Sequence, residues 1–130
     1  MIVLDENILD GQRLMLDHWS IRNRQIGVDL ATKGIKDDAV IVLLRTLRQP
    51  TFITRDLGFY VPTLKHPRYA IVVAAVGQYE VAAFVRRFLR HPEFNAFAKR
   101  TGRVIRISSA AITWWQTRSE REMRVTWDDV

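Results

Sequence analysis

The chain contains no cysteine, so disulfides and thiolate metal sites are excluded, which suits a reducing compartment. Glycine and proline are sparse, six and four in 130 residues, and no glycine-rich stretch has the form that cradles a nucleotide phosphate. A G-x-S-x-G elbow and a supportable Ser-His-Asp arrangement are also missing. His18, His66 and His91 are scattered without metal-ligand spacing, and none is assigned a catalytic role. The longest apolar run, residues 69–76, is far short of the roughly 20 residues a membrane helix needs. Acids arrive by Asp5, so no secretory leader is expected. The chain therefore reads as soluble, intracellular and cytoplasmic, with no membrane partner.

What is present is an ordinary globular composition, 48% apolar and 26% charged, in a length expected to form one domain over residues 1–130. Net charge is +6, and its distribution says more than its sum. Eight of the 14 acids lie at or before Asp56, whereas residues 86–124 carry ten Lys and Arg against three Glu. That segregation suggests a polyanionic partner held near an acidic centre.

Residues 1–4 form an apolar run stopped by Asp5, read as a buried strand. A short helix follows around Ile8–Leu16, interrupted early by Gly11, and a second strand is placed near residues 26–30. The clearest helix spans residues 37–48, where Val40, Leu43, Leu44 and Leu47 recur at helical spacing and Asp37 and Asp38 suit its exposed N–H groups. Strands are predicted at residues 51–54, 69–76 and 104–107, with further strands at 110–115 and 123–127. Helices are expected over residues 81–89 and from Pro92 to about Arg100, and residues 57–68 read as loop. Alternating strands and helices specify a mainly parallel α/β sheet, whose ligands bind beyond the carboxyl ends of its strands.

Asp5 and Asp56 each stand just past such an end, and Asp37 opens a helix. Each has a local reading: Asp37 as a helix cap, Asp56 as an Asx-turn or partner of Arg55, and Asp5 as a cap of the following helix. If the three converge, each pair of carboxylates about 4 Å apart repels by roughly 4 kcal/mol at a protein-like dielectric. A cation or a shared proton must then relieve the repulsion. Oxygen ligands of this kind select magnesium or manganese, and such an ion in a basic surround reads as phosphodiester hydrolysis.

The motifs "MIVLDENI", "GIKDDAVI" and "FITRDLGF", in this order, resemble the PIN-like nuclease domain, in particular a compact bacterial toxin-associated group within the VapC-like superfamily. The resemblance covers about residues 1–107. It implies a Rossmann-like three-layer sandwich with strand order 3-2-1-4-5. It also implies divalent-metal-dependent ribonuclease activity on single-stranded RNA, with an antitoxin protein as partner if the chain is the toxin of a toxin–antitoxin pair. Asp5, Asp37 and Asp56 match the catalytic, metal-side carboxylates. Asn7 matches the Asn of D-E-N and would hold a ligand or water, and Thr54 would position the strand-end loop. Arg55 would point away from the metal, toward phosphate. The family pattern has a fourth acid, a Glu between the first strand and the second Asp, but residues 8–36 contain no Glu. Glu6 or Asp38 would have to substitute. Gly58 stands where the third motif has its second acid. These departures motivate an alternative, a degenerate PIN-like module that binds RNA or a protein without cutting.

Arg86, Arg87 and Arg90 share a helix face, either solvated or in contact with an RNA backbone. Trp114 and Trp115 would point to opposite faces of a strand, one into the core and one into a homodimer interface.

Overall fold

A computed structural model of the chain describes residues 1–128, so the last two residues of the expected domain lie outside the described residues. The elements are, in order, β1 (Ile2–Leu4), α1 (Asp10–His18), β2 (Asn23–Gln25), α2 (Asp37–Thr46), β3 (Thr51–Thr54), β4 (Ala70–Ala74), α3 (Val81–Arg90), α4 (Phe97–Arg100), β5 (Arg103–Ile107), β6 (Ile112–Gln116) and β7 (Met123–Val125). Two short 3₁₀ turns, Leu57–Phe59 and Pro62–Leu64, occupy the segment read as loop. No helix among the described residues is long and apolar enough to cross a membrane.

Seven strands form one sheet in the order β2-β1-β3-β4-β5-β6-β7. Strands β1 to β5 pair in parallel, and β6 and β7 add antiparallel pairs at one side. The α/β class and mainly parallel sheet agree with the sequence reading. The strand order 3-2-1-4-5 does not: the parallel part runs 2-1-3-4-5. The physical reason lies in side-chain polarity. β2 is the polar run Asn-Arg-Gln and belongs at an edge, whereas β3 and β4 are buried at every position and take the middle. The second strand also lies a few residues earlier than expected. Only a single bridge, Ile26 with Leu30, forms in the predicted stretch, and the apolar Val28 is exposed.

Alternation along each strand divides the core in two. Ile2, Leu4, Ile53, Val72 and Ile105 face α1 and α3 with Leu16, Val85 and Phe88. Val3, Phe52, Ile71 and Val73 face α2 with Val40, Ile41 and Leu44. Helices on both faces of the sheet make the three-layer arrangement. Gly11 lies inside the first turn of α1 instead of interrupting it; its open side meets no atom within 4 Å, so the absent side chain leaves no gap in the packing. Trp114 is buried against Phe94, with ring centroids 5.2 Å apart, and Trp115 is half-buried.

In this order β1 connects outward to β2 on one side, while α2 carries the chain back across to β3 on the other. Adjacent strands β1 and β3 thus send their connections in opposite directions. A crevice at their carboxyl ends is the place where wound α/β sheets bind ligands.

Candidate active site

Asp5 follows β1 and Asp56 lies two residues past β3, so both stand at this switch point. They line one cleft of about 280 Å³ together with Asn7, Ile8 and Arg55. The buried Thr54 hydroxyl ties the two acids together. It donates to Asp5 Oδ2 at 2.6 Å and accepts from the Asp56 backbone N–H at 3.0 Å. Asp5 Oδ1 accepts from the Glu6 N–H at 2.8 Å, and the Asp5 N–H continues the sheet by donating to the Ile53 carbonyl at 2.9 Å.

Partial burial raises the Asp5 carboxyl above the ordinary carboxylate value. The bonds from Thr54 and Glu6 N–H pull it back, and the charges of Glu6 and Asp56 push it up again. A half-buried carboxylate crowded by like charge and lacking an ion-pair partner among the described residues is poised to take a cation or a proton.

The other expected residues fall around this centre. Asp56 Oδ1 accepts from the Gly58 N–H at 2.8 Å and caps the Leu57–Phe59 turn, the Asx-type geometry its sequence allowed. Its Oδ2 has no hydrogen-bond partner among the described residues. Arg55 is not paired with Asp56. Its Nε donates to the Val76 carbonyl at 3.0 Å, which joins the end of β3 to the segment after β4, and the residue is among those that line the cleft.

Asp37 does not share the cleft. With Asp38, Lys36 and Gly34 it lines a separate hollow at the start of α2. Asp38 Oδ1 accepts from the Ala39 N–H at 2.9 Å. Glu6 links the two places, since both its carboxylate oxygens lie 3.0 Å from the Gly34 N–H in the loop leading to Asp37. Gly27, at a φ of +84°, lets that loop close over Glu6; a Cβ there would lie 3.4 Å from the Glu6 Cβ. Among the described residues, no group of three or more His, Asp or Glu side chains is drawn close enough to hold a metal ion.

Sequence reasoning missed Gln25. Its buried amide Nε2 donates to the carbonyls of Ile8 at 2.8 Å, Asp5 at 3.2 Å and Glu6 at 3.4 Å. One side chain from the edge strand therefore shapes the whole D-E-N loop. The only available signal was a glutamine in an otherwise unremarked polar stretch.

No known protein family, curated protein or solved structure matches this chain.

Replacing Thr54 by Val keeps the shape but removes the hydroxyl from both acids. The expected cost is about 1–3 kcal/mol in folding stability, since the Asp56 N–H loses its acceptor. Any manganese affinity of the cleft should fall about 10- to 100-fold with the loss of a supporting bond. Thermal unfolding with and without manganese measures both, and an unchanged protein would show that the hydroxyl does not organise the pair.

Proposed function

We propose that this chain is a divalent-metal-dependent ribonuclease of PIN-like type acting on single-stranded RNA. The observation that supports this reading best is the shared cleft at the β1/β3 switch point, where Asp5 and Asp56 meet with Asn7 and Arg55 beside them. The donor set fits the ion. Two carboxylates and an amide oxygen are hard ligands, and magnesium or manganese commonly takes one or two carboxylates, several waters and substrate phosphate. Asp5 and Asp56 would hold it, with Asn7 completing the protein side through its amide oxygen or a water. The chemistry such an ion supplies when bound is a more acidic water and neutralised charge on a phosphoryl oxygen.

The chain's own residues do the rest. The Arg55 guanidinium, held through Nε by the Val76 carbonyl, leaves its terminal N–H groups for a phosphate oxygen. Thr54 ties the Asp5 carboxylate to the Asp56 backbone. Glu6 adds negative charge beside Asp5 while anchoring the loop that carries Gly34. Asp37 and Asp38, in their separate hollow at the start of α2, add negative charge that attracts cations.

The second reading, a non-cutting module of the same fold that binds RNA, draws on the finding that, among the described residues, no three acids are gathered so that they could hold a metal ion together. Incubation of the protein with a single-stranded RNA and manganese separates the two. Cleavage that chelation abolishes and that Asp56→Asn weakens supports the nuclease. Equal cleavage by wild type and variant removes the assignment, and RNA binding without any cleavage favours the module.

A further inference from the structure

On the α3 side of the sheet a second groove, of about 330 Å³, is lined by Arg86, Arg87, Arg90, His91 and Trp127 among others, with no carboxylate in its wall among the described residues. None of the three arginines is in an ion pair among the described residues. Two of them are nonetheless held in place by indoles. The Arg87 guanidinium lies 4.6 Å from the Trp127 ring centroid, and that of Arg86 lies 4.5 Å from Trp19. Stacking fixes the plane of a guanidinium while leaving its N–H edges for an oxyanion, which lowers the ordering cost of binding one.

His91 adds an independent feature. Its Nδ1 accepts from the Glu93 N–H at 3.1 Å, which puts the ring proton on Nε2. That Nε2 is buried and without a hydrogen-bond partner among the described residues. The ring lies edge-on to Trp127, with centroids 6.4 Å apart. A buried donor left without an acceptor needs a reason, and an oxyanion drawn into the groove by the neighbouring arginines would supply one.

We infer that this groove is a phosphate-binding subsite for single-stranded RNA, in which Arg87 and Arg90 grip the backbone. The choice of RNA over another polyanion rests on the proposed function; the groove itself does not depend on the acidic cleft.

The test is fluorescence anisotropy of a labelled single-stranded RNA 12-mer in EDTA, so that metal chemistry plays no part. Wild type is expected to bind the RNA. Arg90→Glu, which disturbs no ring contact, should weaken binding about 10-fold or more, with an unchanged melting temperature verifying the fold. Arg87→Ala with Arg90→Ala should also reduce the slope of log K against log salt by about 1.4, the share of two phosphates on a single strand. Wild-type affinity in Arg90→Glu, or no RNA binding by wild type, would overturn the subsite. Equal affinity for a poly-glutamate of the same length would overturn the RNA assignment in favour of an acidic protein. If cleavage fails while this binding holds, the nuclease reading falls and the subsite stands.

Discussion

Asp5→Asn is expected to reduce manganese-dependent RNA cleavage about 10²- to 10³-fold, about 3–4 kcal/mol of barrier. Asn keeps the size and can still accept the Glu6 N–H, so the loop should survive. What disappears is the charge that would hold the ion and organise its water. The same change should make the metal-free protein slightly more stable at neutral pH. The folded Asp5 carboxyl sits above its ordinary value of 3.8, chiefly through burial. Between the unfolded and folded values the native state therefore holds the proton more tightly, so stability falls as pH rises through that window and stays lower above it. Asn does not titrate and removes this loss. Because the carboxyl is only half-buried, solvent screens the effect, and the gain in melting temperature should be small. Melting curves from pH 3 to pH 8, about the span over which a raised carboxyl titrates, read the stability part directly. A variant that cuts RNA as fast as wild type would remove Asp5 from the chemistry. One that shows the wild-type pH dependence would remove it from the linkage.

Phe52→Ala should have the largest effect on folding, about 3–5 kcal/mol, or roughly 10–20 °C in melting temperature. Phe52 is fully buried at the centre of β3, and its ring meets Phe59 edge-on at 5.3 Å between centroids. Phe59 closes the turn that Asp56 caps. The substitution thus opens a cavity under α2 and also loosens the support of an acidic cleft residue. Cleavage measured well below the new melting temperature should still fall, because Asp56 loses its anchor. A loss of stability under about 1 kcal/mol would mean that the α2 face of the core repacks freely around this position.

The parts of the fold that bury apolar faces were legible in the sequence, because burial imposes a period. Residues 51–54 form the predicted strand without change, and α2, β4, α3 and β5 shift by no more than two residues at either end. β2 was misplaced because an edge strand of Asn, Arg and Gln has no apolar period to read. It is held by its neighbours' backbone and by side-chain bonds such as Arg13 Nε to Asn23 Oδ1 at 2.9 Å. Strand order is not encoded in periodicity at all; it came from the motif resemblance and proved different. Asp5 and Asp56 could be placed because strand ends in a parallel sheet share one edge. Asp37 opens a helix at that same edge, but which hollow its side chain lines depends on the loop closed by Glu6 and Gly34, contacts that span 28 residues. Gln25 and His91 were silent for the same reason.

The clamp that Gln25 places on the loop after β1 bears on how the proposed cleavage would be lost. The amide that secures three carbonyls around Asp5 belongs to an outermost strand only three residues long. Fraying of a sheet margin is the least costly opening a folded domain undergoes. A transient detachment there would scatter the acidic pair while the two apolar layers stayed intact, so warming should silence the molecule well before it melts.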